Sequence, residues 1–325
     1  MKILVTGSSG FIGGHLVRRL KAEGHFVIGA DLVPPEYSQP DEFHLCDLRN
    51  SVSCYEIFIR HKIDHVYSLA CLMGGMGYIG DPKHSYDVMI GSSQVVINTL
   101  DCAIRTGVKK IFYSSSACVY NENLQKQTND VSLKESDAYP AMPDLVYGWQ
   151  KLFSEQLHQA ASDRIEIRIA RFHNIYGPEG CYKGGKEKAP AAICRKVASV
   201  SKHAKPGGRG IDKIQIWGTG EQTRSFLFID DCIDAVRLLM DSDHKEPINI
   251  GSEEMISIND LATMVIRKIA HYAVHIENVK GNVGVMGRNS NNDEIRRVLG
   301  WEPKFTLLEG MTETFNWINE KINGK

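Results

Sequence analysis

The sequence predicts an α/β protein: a doubly wound parallel sheet with a smaller C-terminal α/β domain. Three observations predict it. Short apolar runs alternate with amphipathic stretches through the first half, a glycine-rich turn follows the first run, and the rhythm changes after Asn174. Runs at 3–5, 26–28, 65–69, 111–113 and 165–169 read as strands, and stretches near 12–22, 88–106 and 145–161 repeat at helical spacing. Alternation of this kind gives a parallel sheet covered on both faces. The segment 176–224 is rich in Gly, Lys and Pro and shows no clean run of strands. Short apolar runs return at 226–229 and 248–250, and helices dominate from Ser257. The expected division is one domain from 1–174 and 225–250 and a second from 175–224 and 251–325, with the chain crossing between them more than once.

Length and charge narrow the function. A chain of 325 residues can bury a substantial core. A formal net charge of -1 gives no bulk attraction to nucleic acid or to an anionic membrane, so neither partner is expected. No apolar run is long enough to span a bilayer and no leader precedes the first strand, so a soluble cytoplasmic protein is expected. The eight cysteines form no CxxC pair and no zinc spacing with histidine. They read as reduced thiols, and no metal is expected.

Gly7-Ser8-Ser9-Gly10-Phe11-Ile12-Gly13 follows the first strand and opens the first helix. Glycines serve a tight turn and let the backbone approach a pyrophosphate, which the free N–H groups of the helix N-terminus then bind. The strand-turn-helix setting makes this a Rossmann dinucleotide motif. Asp31 ends the second strand, where a carboxylate hydrogen-bonds the adenosine ribose and disfavours the extra phosphate of NADP, so NAD is the expected cofactor. Asp47, after a third short run, is either an adenine neighbour or a solvated loop residue.

Tyr147 and Lys151 form a YxxxK pair, four residues apart and so on one face of a helix. The Lys151 ammonium is expected to lower the phenol's pKa and to bind the ribose. A tyrosinate so formed takes a proton from an alcohol whose carbon gives hydride to NAD. Ser116 closes the run Ser114-Ser115-Ser116 at the C-terminal edge of a strand, where ligands bind in such sheets.

Together these features resemble the extended short-chain dehydrogenase/reductase family. Arg171-Phe172-His173-Asn174-Ile175-Tyr176-Gly177-Pro178 and Arg224-Ser225-Phe226-Leu227-Phe228-Ile229-Asp230-Asp231 are similar to its nucleotide-sugar branch. The resemblance implies Leu48, Leu69 and Ala70 beside the cofactor, and a hydride taken from a sugar carbon and often returned. It also implies a homodimer paired through the helices near 88–106 and 145–161. Ala117-Cys118 stands where the dehydratases of the branch carry Asp-Glu, so water elimination is not expected. Simple 4-epimerases usually carry Thr where Cys118 stands.

Read from the residue alone, Cys118 is either a base or a small buried packing residue. A base is useful because a ketone at carbon 4 acidifies carbons 3 and 5, and inversion there needs a base on one face and an acid on the other. Five longer stretches look like the group in this branch that inverts both carbons of a GDP-sugar. They are Met73-Gly74-Gly75-Met76-Gly77, 114–120, 131–137, 183–190 and Gly287-Arg288-Asn289-Ser290. That resemblance implies Cys118 as base and Lys188 as opposing acid. It further implies that Gly74, Ser116, Ala117, Asn174, Glu187, Ala189, Lys196, Gln222, Thr223, Arg224 and Arg288 line the sugar-nucleotide site. Arg224 and Arg288 suit a diphosphate, since guanidinium forks bind phosphate oxygens in pairs. Two features depart from the group: Phe315 where it has Tyr, and a longer basic stretch at 199–213. The competing readings are a related enzyme acting on another GDP-sugar, such as a heptose, or at carbon 4 only, and a non-catalytic NAD-binding regulator.

Overall fold

The computed structural model describes residues 1–129, 131–200 and 212–324. The basic stretch singled out above falls largely at 201–211, outside the described residues. The first half runs β1 (Lys2–Thr6), α1 (Phe11–Ala22), β2 (Phe26–Asp31), β3 (Glu42–Leu45), α2 (Ser51–Arg60), β4 (His65–Ser68), α3 (Met76–Ile79), α4 (Ser85–Arg105), β5 (Lys110–Ser116), α5 (Val146–Ala160) and β6 (Glu166–Phe172). Then follow β7 (Ile175–Tyr176), α6 (Ala189–Val200), β8 (Asp212–Trp217), β9 (Thr223–Ser225), β10 (Leu227–Phe228), α7 (Ile229–Asp241) and β11 (Ile248–Ile250). The chain ends with β12 (Met255–Ser257), α8 (Ile258–Met264), β13 (Val274–Val279), β14 (Gly287–Arg288), α9 (Asp293–Leu299) and α10 (Leu307–Asn323).

Seven strands form one parallel sheet in the order β11-β6-β5-β4-β1-β2-β3. Apolar residues such as Ile3, Leu4, Val5, Ile28, Val66, Ile111 and Ile169 are fully buried, because helices cover both faces. The order reverses between β1 and β4, which pair with Thr6 opposite Ser68. At such a switch point the connections leaving the paired strand ends run to opposite faces of the sheet, and a crevice opens there. Thr6 ties the two ends together, its hydroxyl accepting from the amides of Leu69 at 3.2 Å and Ala70 at 3.3 Å.

β11, from residues 248–250, joins the large sheet at its β6 edge. The remaining strands lie outside it: β8 pairs β13, β12 and β14 flank β9, and β7 pairs β10. One apolar core runs through both groups of strands, from Ile3 and Leu16 to Ile193, Ile258 and Phe315. The expectation of no clean strand in 176–224 is corrected by β8, with Ile214 and Ile216 buried between exposed neighbours. Its alternation is hidden in sequence because two lysine- and glutamine-bearing positions interleave only two isoleucines, too few repeats for the period to stand out.

Candidate active site

A cavity of about 900 Å³ runs from the glycine turn after β1, past the C-terminal ends of β4 and β5, to β8, β9 and β14. At its first end the turn depends on Gly13: a Cβ there would lie 2.1 Å from the carbonyl oxygen of Gly7. Gly10 caps α1 without a side-chain bond, so the first-turn amides remain for an anion. Asp31 turns its carboxylate to the same turn, accepting from the Ser9 amide at 3.0 Å and the Leu32 amide at 2.6 Å. Gly7, Gly10, Phe11, Ile12, Gly13, Asp31, Asp47, Leu48, Leu69 and Ala70 all line this end. A side chain-free cradle, uncapped amides and a terminal carboxylate fit a dinucleotide. Asp47 also lines it but is held by Arg49, whose Nη2 lies 2.7 Å from Oδ2 and keeps the carboxyl below its usual range.

At the centre, Tyr147 and Lys151 project from α5 into the cavity. Lys151 Nζ donates to the Ser114 carbonyl at 2.7 Å and sits 5.7 Å from the Tyr147 ring centre. Burial pushes the Tyr147 phenol above its ordinary range, and Lys151 only partly offsets this. Lys151 lowers the Tyr147 pKa as expected, but desolvation of a phenolate in this cavity outweighs one ammonium. Burial also works against the Lys151 charge, but Cys71, Tyr113 and Tyr147 outweigh it and hold the ammonium above its usual range.

Cys118 sits in the helical turn after β5, capped by the Ser116 hydroxyl, which accepts its amide at 3.2 Å. It packs with Tyr147 and Val88. Burial first, then Asp144, raises its thiol pKa, while Arg288 and Ser116 oppose the rise. The nearby Arg288 charge lowers the thiol pKa, but burial together with Asp144 outweighs it. Lys188 precedes α6, and its carbonyl accepts from the Ala192 amide at 2.9 Å. Burial lowers its pKa, with Cys118 among the groups that oppose this. The loop before it is pinned by Gly75, whose amide donates to Lys186 O at 2.9 Å. A Cβ on Gly75 would come 2.2 Å from the Glu187 carbonyl, so only glycine permits the approach.

The far end collects Gly74, Ser116, Ala117, Asn174, Glu187, Ala189, Lys196, Gln222, Arg224 and Arg288 on one wall. Thr223 is not on it: its hydroxyl donates to the Thr128 carbonyl at 2.8 Å. Neighbours along a strand point to opposite faces, so Arg224 can face the cavity only if Thr223 turns away. Arg224 is held by carbonyls, including Thr223 O at 2.7 Å and Val285 O at 2.6 Å, and makes no ion pair among the described residues. Arg288 is differently placed. It donates to Asp144 Oδ2 at 2.7 Å, to Gln125 Oε1 at 2.5 Å and to Cys118 Sγ at 3.2 Å. It also lines the cavity, where the resemblance placed it.

Asp144 and Gln125 were not visible as site residues in sequence. An Asp just ahead of a helix reads as its N-cap, yet Leu145 is the cap of α5 and the Asp144 carboxylate is spent on Arg288. Behind the site, Arg171 and Glu155 pair at 2.8 Å with both side chains buried, and Ser115 donates to the same carboxylate. Phe315 lies in the apolar core and off the cavity wall, next to Thr314, which lines it.

The family model of the NAD dependent epimerase/dehydratase family matches residues 3–251. A GDP-mannose 3,5-epimerase of Arabidopsis thaliana is 46% identical over 99% of this chain and 83% of its own length. GDP-mannose 3,5-epimerase 1 of Oryza sativa subsp. indica is 45% identical over 99% and 82%. Among solved structures, a UDP-glucose 4-epimerase with UDP-glucose from Thermotoga maritima superposes with a TM-score of 0.82 at 24% identity, covering 99% of this chain and all of that one. The chain belongs to the NAD dependent epimerase/dehydratase family.

Proposed function

We propose that the protein is a GDP-mannose 3,5-epimerase, an isomerase that uses bound NAD. The observation that carries this reading is a thiol and a lysine, Cys118 and Lys188, lining the same cavity as Tyr147 and Lys151 in a chain 46% identical to such an enzyme. NAD, when bound, accepts a hydride from carbon 4 and later returns it. Tyr147 takes the proton of the carbon-4 hydroxyl, with Lys151 beside it and Ser116 on the same wall. With carbon 4 a ketone, Cys118 as thiolate removes the proton of carbon 5 or carbon 3, and the Lys188 ammonium delivers one to the opposite face. Both inversions give GDP-L-galactose, and inversion at carbon 5 alone gives GDP-L-gulose. Arg224 is held by carbonyls and has no carboxylate partner among the described residues, which suits it to the diphosphate; Lys196 lines the same cavity.

The deciding experiment is GDP-mannose turnover in deuterated water followed by NMR. Deuterium at carbons 3 and 5 without net NADH supports the reading. Epimerisation at carbon 4 with no exchange at carbons 3 and 5 overturns it. The same assay with GDP-heptose tests the related substrate.

The domain division at 174/175, 224/225 and 250/251 belongs to this proposal, supported by β11 joining the cofactor sheet while β8, β9 and β12–β14 stay outside it. A homodimer is proposed through α4 and α5, which expose Tyr86, Ile90 and Ile97, and Trp149 and Phe153. A monomer by light scattering at micromolar concentration would remove it. A cytoplasmic location is supported by the cysteines, all of which are free. No described helix is long and apolar enough to cross a membrane.

A further inference from the structure

A second cluster of chemistry-bearing side chains lies outside the cavity, at the open edge of the large sheet. β3 is the edge strand, paired only with β2. Glu42 and His44 are two apart on it and therefore share one face. His61 caps the C-terminus of α2 and is buried at 6% exposure. The Nε2 atoms of His44 and His61 lie 2.9 Å apart, and His61 Nε2 lies 3.3 Å from Glu42 Oε2. One ligand atom from each residue falls within 4.8 Å of the other two.

We propose that Glu42, His44 and His61 form a binding site for a divalent cation of the zinc class. Two imidazole nitrogens and one carboxylate oxygen are the donor set such ions take, with water as a fourth ligand. Bond lengths near 2.0–2.1 Å at tetrahedral angles put ligand atoms roughly 3.3 Å apart; His61 Nε2 and Glu42 Oε2 stand at that separation, and the two imidazole nitrogens lie slightly closer. A histidine–histidine hydrogen bond accounts for one contact but leaves His61 Nε2 facing two partners with a single proton to give. A cation satisfies all three acceptors at once. The site also sits at the negative end of the α2 dipole, which favours a cation.

The consequence reaches the cofactor. β3 runs directly into Cys46, Asp47 and Leu48, which line the dinucleotide end of the cavity. A cation clipping β3 to the end of α2 fixes that segment from outside.

The test is calorimetric titration of Zn²⁺ and Co²⁺ into the full chain as purified. The expected result is one equivalent bound at micromolar affinity or tighter, weakened about ten-fold or more in His44→Gln and in His61→Gln. Glu42→Gln, at an exposed position that leaves the fold intact, should weaken it less. Bound Co²⁺ should show no thiolate-to-metal absorption, which separates this site from the free cysteines. Affinity should fall as the medium is acidified, because protonated imidazoles do not ligate. Unchanged binding in Glu42→Gln and in the His44→Gln, His61→Gln double variant, a thiolate band, or no binding at all would each overturn the site.

Discussion

The two ends of the cavity are built by different means. The dinucleotide end comes from one strand-turn-helix segment plus the ends of neighbouring parallel strands, and its main device is the absence of a side chain at Gly13. The sugar end is assembled from the turn after β5, the loop before α6, β9 and β14, segments up to 170 residues apart, as between Cys118 and Arg288. The first end needs shape; the second needs charge balance among buried groups. Substitutions at the seam and the far end should therefore change chemistry and titration before they change the fold.

The largest effect is expected at the seam. Tyr147→Phe keeps the ring and removes the proton acceptor, so turnover of GDP-mannose and deuterium exchange should both fall by about 10²–10⁴-fold, while NAD stays bound. Retained exchange in this variant would detach the sugar end from the carbon-4 step. Quantifying bound nucleotide after denaturation checks the second half of the expectation.

The next effect concerns stability in acid. His158 and His173 are fully buried beneath the sheet, and burial lowers their pKa values to about 4 and about 3. Unfolded, each titrates at 6.5. The unfolded chain thus takes up protons below 6.5 that the folded chain refuses. Stability is intact above 6.5 and declines as pH falls toward the folded values. By pH 5 the pair should have removed about 4 kcal/mol. Urea midpoints at pH 7 and pH 5 measure it, and His158→Phe should abolish about half of the pair's share. A midpoint that does not move between those pH values would show that this buried layer protonates without unfolding.

Cys118→Ala separates the two ends most directly. Oxidation at carbon 4 can proceed, but exchange at carbons 3 and 5 should drop by roughly a hundred-fold or more. Lys188→Ala should impair inversion in the same way. If Cys118→Ala exchanges at the normal rate, the thiol is a packing residue and the sugar end works by other groups.

The smallest effect probes the charge balance. Asp144 raises the Cys118 pKa and Arg288 lowers it, and Gln125 holds Arg288 in place independently. Asp144→Asn should move the pH midpoint of Cys118 alkylation to lower pH. A shift to higher pH would mean that Asp144 acts chiefly by positioning Arg288.

The dinucleotide end was legible in the sequence because its information is local. Gly7 to Gly13, Asp31 at a strand end, and Tyr147 four residues before Lys151 are spacings that backbone geometry converts directly into position. The sign of each pKa shift was not legible, because desolvation depends on what surrounds a group in three dimensions. Tyr147 and Cys118 both carry a cation nearby, yet burial decides both. Thr223 and Arg224 could not be told apart until β9 set which of the two faces the cavity. By itself the sequence determined the parallel sheet, the cofactor turn and the family. Only the tertiary structure decided that Arg288 meets both Cys118 and Asp144, and that Glu42, His44 and His61 meet. Those contacts join residues on separate elements, and no local periodicity records a distance between elements that pack only after the chain has folded.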